Sequence, residues 1–302
     1  MVRPQHEFYI PSVHDGTRLS CRLYQSELTQ RTLQQPSVSK GAIVAHPYAT
    51  LGGNNDDPAV GSIAAELVRN GYAVLTLNFR GAGYSDGRTS WTAKPEIGDY
   101  MSAYGFMLKY LQLLGPSKPV ELILAGYSYG SMVASHQPTI GDVASLFATP
   151  EAGSPVETIL LQARDLVEGA NKDVTESNDK LDQDSKLPAA TISYLLLSPI
   201  LPPASRLVTL WANLSSVSIA GKQISIPAPE EELPKHRTLV VYGTDDMFTS
   251  ETKLRHWTKS LREVQGSHAK SVEISFAGHF WIEQTFHTQL RKAISDWFND
   301  TQ

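Results

Sequence analysis

A serine, a histidine and a pair of aspartates stand in this chain where nucleophilic chemistry would need them. Ser128 lies in Gly126-Tyr127-Ser128-Tyr129-Gly130-Ser131, directly after the apolar run VELILA. A serine on a tight strand-to-helix turn is held in a strained conformation with its hydroxyl pushed outward. Glycines two residues before and two after remove the side chains that would clash there. The hydroxyl is a poor nucleophile near neutral pH and needs a base, which in turn needs an orienting acid. Both follow downstream in the order strand-end loops should supply them. Asp245 and Asp246 lie in YGTDDMF after the run TLVVY, and His279 lies in AGHFW after SVEISF. On chemistry alone either aspartate could serve, since an aspartate pair at a strand end is often only a turn-former.

A tetrahedral intermediate also needs two backbone donors aimed at its oxyanion. One is the amide of Tyr129, after the serine. The other should come from the loop after GAIVAH, which reads HPYATLGG. Pro47 has no N–H to give, so the amide of Tyr48 is the candidate. Tyr48, Trp91, Tyr127, Met247 and Phe280 sit in the same loops and would line a mostly apolar substrate pocket. Phe248 and Trp281 stand beside them, and about half of these side chains should be core.

Other chemistries fit less well. Gly81, Gly83 and Gly87 follow a buried strand, but a dinucleotide-binding turn wants G-x-G-x-x-G opening a helix. Asp86 occupies the final glycine position, so no nicotinamide cofactor is expected. The nine histidines are scattered without metal-ligand spacing, and no metal or other cofactor is expected. Cys21 lies in an early strand and reads as a small core residue.

The elements needed to hold these residues are legible in outline. EFYI and RLSCRLY are strand-like runs joined across HDGT, a hairpin signal. GAIVAH, YAVLTLNF and VELILAG are continuous apolar runs of the kind buried on both faces of a sheet. Between them Val60, Ile63, Ala64, Leu67 and Val68, then Ile97, Tyr100, Met101, Tyr104 and Leu108, recur at helical spacing. Such alternation forces an α/β fold, with a mostly parallel sheet, helices on both faces and an N-terminal antiparallel hairpin. ISYLLLSP, TLVVYG and SVEISFAG add strands, and a last helix carries Phe286, Leu290, Ile294 and Trp297 on one face.

The rhythm breaks at about 137–190. Val156, Ile159, Leu160, Ala163 and Val167 predict one amphipathic helix there, able to cover the site as a lid or to pack on the outer face of the sheet. NKDVTESNDKLDQDSK then reads as a solvated or disordered loop. A second segment, about 212–235, reads as an irregular excursion. The expectation is one domain over 1–302 with an insertion.

At 302 residues and 41% hydrophobic composition, the chain can bury a full core. One cysteine excludes a disulfide framework. Thirty-one acidic against 26 basic residues, net charge −5 and no basic block argue against a nucleic-acid partner. No run approaches the ~18 apolar residues of a membrane span, and the first residues lack a signal-peptide pattern. A cytoplasmic enzyme acting on a small molecule is expected.

HPYATLGG, NFRGAGYSDG, GYSYGS, GTDDMF and AGHFW, in that order, resemble the α/β-hydrolase superfamily. The branch most resembled has an HP…GG loop and an NFRG-x-G-x-S-x-G turn, among small cytosolic hydrolases related to dienelactone-hydrolase and prolyl-oligopeptidase-type domains. The resemblance implies an α/β-hydrolase fold with Ser128 as nucleophile, His279 as base and Asp246 as acid, two residues before Phe248. It makes Arg80 the arginine that ties the strand-end loops together. The acidic insertion after the nucleophile helix departs from the family pattern. The implied activity is hydrolysis of an ester or thioester of a small, partly apolar substrate through an acyl-enzyme. The same residues could instead serve lactone or carbon–carbon hydrolysis, acyl transfer or cyclisation, and a non-catalytic binding role is a third alternative.

Overall fold

The structure is a computed structural model and describes residues 2–25, 38–116, 118–170, 188 and 190–300. Eight strands form one sheet: β1 (His6–Pro11), β2 (Arg18–Tyr24), β3 (Ser39–Ala45), β4 (Ala73–Leu77), β5 (Val120–Tyr127), β6 (Ala190–Leu197), β9 (Arg237–Asp245) and β10 (Ala269–Gly278). Their order is β1-β2-β4-β3-β5-β6-β9-β10. β1 and β2 form the expected antiparallel hairpin, β2 pairs antiparallel with β4, and every other neighbour is parallel.

The apolar runs read as doubly buried strands are so because helices cover both faces. The helices are α1 (Pro58–Arg69), α2 (Lys94–Leu114), α3 (Tyr129–Ser135), α4 (Ile140–Phe147), α5 (Pro155–Ala170), α6 (Ala204–Val208), α7 (Pro229–Glu232), α8 (Glu251–Glu263) and α9 (Gln284–Asn299). Side chains alternate along each strand. Ala42, Val44, Ile123 and Ala125 therefore join the core under α1 and α9, whereas Ile43, Ala45, Leu122 and Leu124 join the core under α2 and α3. Each fully buried aliphatic side chain contributes about 1.5–3 kcal/mol.

The irregular stretches are more ordered than their sequence suggests. β7 (Ser216–Ile219) and β8 (Lys222–Ser225) form a separate antiparallel ribbon within 212–235. Ala220 and Gly221, both at positive φ (48° and 75°), make its turn, and Val217 and Ile219 are buried. α4 was not legible as a helix: Thr139 caps it by accepting from the Asp142 amide. Its Phe147 ring fills a notch on α2 that a Cβ at Gly105 would occupy. α5 packs on α2 and β1, burying Ile159, Ala163 and Val167. The charged run after it, 171–186, expected to be a solvated or disordered loop, lies outside the described residues.

Candidate active site

Ser128 sits between the end of β5 and the start of α3 with φ 57° and ψ −114°. A positive φ at a non-glycine residue costs about 1–3 kcal/mol and persists only where its surroundings enforce it. Here they do. A Cβ at Gly126 would strike the backbone of Gly130, and one at Gly130 would lie 2.5 Å from the Ala45 carbonyl oxygen. The Ser131 hydroxyl donates to the carbonyls of Gly126 (2.6 Å) and Leu197 (2.8 Å), tying the turn to β6. The glycine spacing thus lets α3 close against β3 while the serine side chain projects from the sheet edge.

Ser128, His279 and, of the two aspartates, Asp246 meet. Ser128 Oγ lies 2.7 Å from His279 Nε2, and His279 Nδ1 lies 2.6 Å from Asp246 Oδ2. The carboxylate can only accept, so Nδ1 carries the proton and Nε2 is free to accept from the serine hydroxyl. The other carboxylate oxygen accepts from the amides of Phe248 (2.9 Å) and Thr249 (3.1 Å). Asp246 and His279 are buried, whereas Asp245 is exposed. A bulge supplies the alignment. Ile274 pairs with Gly243 but Gly278 pairs with Asp245, so two extra residues lift β10 and His279 emerges beside Asp246. An imidazole held this way can take the serine proton and remain stabilised when charged.

The loop after β3 is fixed by a histidine that sequence reading passed over. His46 Nε2 accepts from the Phe79 amide (2.9 Å), which puts the ring proton on Nδ1, 2.6 Å from the Pro47 carbonyl oxygen. Burial pushes the His46 pKa down to about 4, so the ring is neutral and its tautomer is set. Gly53 folds back so closely that a Cβ would strike the Pro47 carbonyl. The Tyr48 and Tyr129 rings stand 4.9 Å apart. Among the described residues neither the Tyr48 nor the Tyr129 amide donates a hydrogen bond.

A cavity of about 200 Å³ opens over Ser128 and His279. Tyr48, Tyr127 and Phe280 line it, as does Phe248. Trp91 and Met247 do not, and correct the sequence expectation. Trp91 is 68% exposed in the bend before α2, and Met247 is 75% exposed because its neighbour Asp246 takes the inward position. Trp281 is core: its indole N–H donates to Ser198 Oγ at 3.0 Å. The far wall comes from Ile200 and from Ala204, Leu207 and Val208 of α6, which nothing in the sequence marked. Among the described residues, no group of three or more His, Cys, Asp or Glu side chains is placed to hold a metal ion.

A model of the alpha/beta hydrolase family matches residues 50–288. The chain belongs to that family. Among solved structures, this alpha/beta hydrolase resembles an alpha-beta serine hydrolase homologue from Coxiella burnetii, at 16% identity and TM-score 0.55 over 98% of this chain and 99% of that one. It also resembles a serine hydrolase without a lid from Xanthomonas campestris, at 18% identity and TM-score 0.55 over 99% and 97%. Est1E from Butyrivibrio proteoclasticus, solved with ferulic acid bound, matches at 15% identity and TM-score 0.57 over 97% and 98%. Identities this low speak for the fold alone. An uncharacterized protein from Rickettsia prowazekii is 38% identical over 93 residues, 31% of this chain and 37% of that protein. One from Schizosaccharomyces pombe is 25% identical over 146 residues, 46% of this chain and 60% of that protein. The chain therefore spans less than two thirds of either curated relative.

Within this alpha/beta hydrolase, Arg80 anchors the loops beneath the site. Its guanidinium bonds both oxygens of buried Asp99 (2.6 and 3.0 Å), both of Asp15 (2.7 and 3.2 Å) and Ser12 Oγ (3.1 Å). One side chain thus joins the end of β4 to α2 and to the β1–β2 turn. No described helix is long and apolar enough to cross a membrane.

Proposed function

We propose that this chain is a serine hydrolase cleaving a carboxylic ester or thioester of a small, partly apolar substrate. The observation that carries the reading is the relay of 2.7 Å and 2.6 Å from Ser128 through His279 to Asp246. Ser128 Oγ attacks the substrate carbonyl carbon as His279 Nε2 takes its proton. The oxyanion is met by the amides of Tyr129 and Tyr48, and Asp246 stabilises the imidazolium. The C–O or C–S bond breaks as His279 returns the proton to the departing alcohol or thiol. Water then attacks the acyl-enzyme with its proton passing to His279, and the acid leaves as Ser128 is reprotonated. The reading also takes the protein to act in the cytoplasm.

The deciding experiment is a panel of esters and thioesters turned over by wild type and Ser128→Ala, with fluorophosphonate labelling alongside. Hydrolysis falls by at least ~10³-fold in the variant, and the label is lost. Near-wild-type turnover in Ser128→Ala would remove the serine from the mechanism.

A further inference from the structure

The cavity over Ser128 has one carboxylate in its wall: Asp57, which caps α1, and which also borders a second cavity that includes Arg3 and Arg22. The lining over Ser128 contains no arginine or lysine. Asp57 Oδ1 accepts from the amides of Ala59 (2.8 Å) and Val60 (3.4 Å). Oδ2 has no hydrogen-bond partner among the described residues, and the carboxylate forms no ion pair there. The group is only partly exposed, and burial pushes its carboxyl pKa up despite the two amide bonds. Its charge is felt at the Tyr127 phenol, on the cavity wall, and at His287 on α9.

Aromatic faces surround the same space. Tyr48, Tyr127, Phe248 and Phe280 line it, with the Phe248 and Phe280 rings edge-to-face at 5.9 Å. A carboxylate with one oxygen left free by its helix cap, in a cavity lined by aromatic rings and no lysine or arginine, is the chemistry that holds an ammonium group. A cation seated there would relieve the cost of burying Asp57, whereas a carboxylate or phosphate would meet like charge and find no cationic partner. Resting on the serine-hydrolase reading, we infer that the substrate is a cationic ester, bearing an amine or quaternary ammonium that sits against Asp57 while its carbonyl meets Ser128. Asp57 is then a specificity-determining residue, and esters ending in a carboxylate are poor substrates.

Asp57→Asn tests this, because asparagine keeps an acceptor oxygen to cap α1 while the free carboxylate oxygen becomes a neutral NH2 group. Binding of butyltrimethylammonium is measured by calorimetry at pH 8 in both proteins. In parallel, kcat/KM is compared for butanoylcholine against 3,3-dimethylbutyl butanoate, and for p-nitrophenyl 4-(trimethylammonio)butanoate against p-nitrophenyl 5,5-dimethylhexanoate. These pairs place the charge on the alcohol half and on the acyl half, and each is corrected for its rate with hydroxide. The cation binds wild type at least about tenfold tighter than the variant. At least one cationic ester is preferred about tenfold over its neutral isostere, a preference that Asp57→Asn abolishes. Equal cation binding by the two proteins, or a preference the substitution leaves intact, overturns the inference. If wild type turns over no ester and takes no fluorophosphonate label, the hydrolase reading fails, and the calorimetry alone decides whether Asp57 holds a cation.

Discussion

The Tyr127 hydroxyl donates a 2.5 Å hydrogen bond to the backbone carbonyl of His279, although their strands β5 and β10 are separated by β6 and β9. Neighbouring strands are about 4.8 Å apart, so the loop after β10 must lean back across the sheet edge to bring the imidazole to Ser128. Tyr127 is the tether. Tyr127→Phe keeps the ring but leaves the carbonyl without its partner. Its kcat should fall about tenfold with KM changing less, and stability should drop by about 1 kcal/mol. Steady-state kinetics and urea denaturation read the two effects.

Asp246 and Asp245 should separate cleanly. Asp246→Asn removes the acceptor that sets the His279 tautomer, and turnover should fall by about 10⁴-fold. Asp245→Asn alters an exposed side chain and should stay within a few-fold of wild type. The opposite ranking in ester hydrolysis would transfer the role to Asp245.

Gly130→Ala tests the turn itself. The added methyl would lie 2.5 Å from the Ala45 carbonyl oxygen, and backbone on both sides leaves little room to yield. A loss of at least about 2 kcal/mol is expected by denaturant unfolding, with activity falling further than the folded fraction does.

Arg80→Ala would leave Asp99, fully buried, without its counter-charge. Breaking a buried pair in this way costs about 3–5 kcal/mol, so a lower denaturation midpoint should accompany any loss of activity. Arg80→Lys cannot reproduce the forked contacts to Asp99 and Asp15 and should recover only part of the stability.

His46 makes the fold sensitive to acid. In the unfolded chain it protonates near its ordinary pKa of 6.5, whereas in the fold burial holds it at about 4. Between those values the unfolded state binds more protons, so stability falls as pH drops through the window, by on the order of 3 kcal/mol in total. The pH dependence of the urea midpoint should flatten between pH 6.5 and 4 in His46→Gln.

Most of the sheet could be read from the chain because strands covered on both faces are unbroken apolar runs, as GAIVAH and VELILAG are. That Ser128, His279 and one of Asp245 and Asp246 stand at one sheet edge was likewise legible, since each follows such a run at its C-terminal end; the choice of Asp246 came from the family resemblance. The ribbon at 216–225 was not, because four-residue strands carry too few alternations to register. Trp91 and Met247 show the limit of residue type as a guide: an apolar side chain beside a motif faces inward only if the backbone turns it that way. His46, Asp57 and the α6 wall were missed for a related reason. A ring bound to a distant amide, a carboxylate at the start of a helix and a five-residue helix acquire their meaning only from neighbours far along the chain.

β6 contributes no member of the Ser128–His279–Asp246 relay, yet it lies between the strand that carries Ser128 and the strand that leads to Asp246. It is a spacer, and its register fixes how far apart their ends stand. A two-residue slip of β9 along it would preserve which side chains face inward while displacing Asp246 by nearly 7 Å. Recovery of turnover after refolding should therefore lag recovery of secondary structure, because it reports the moment when the outer strands lock into place.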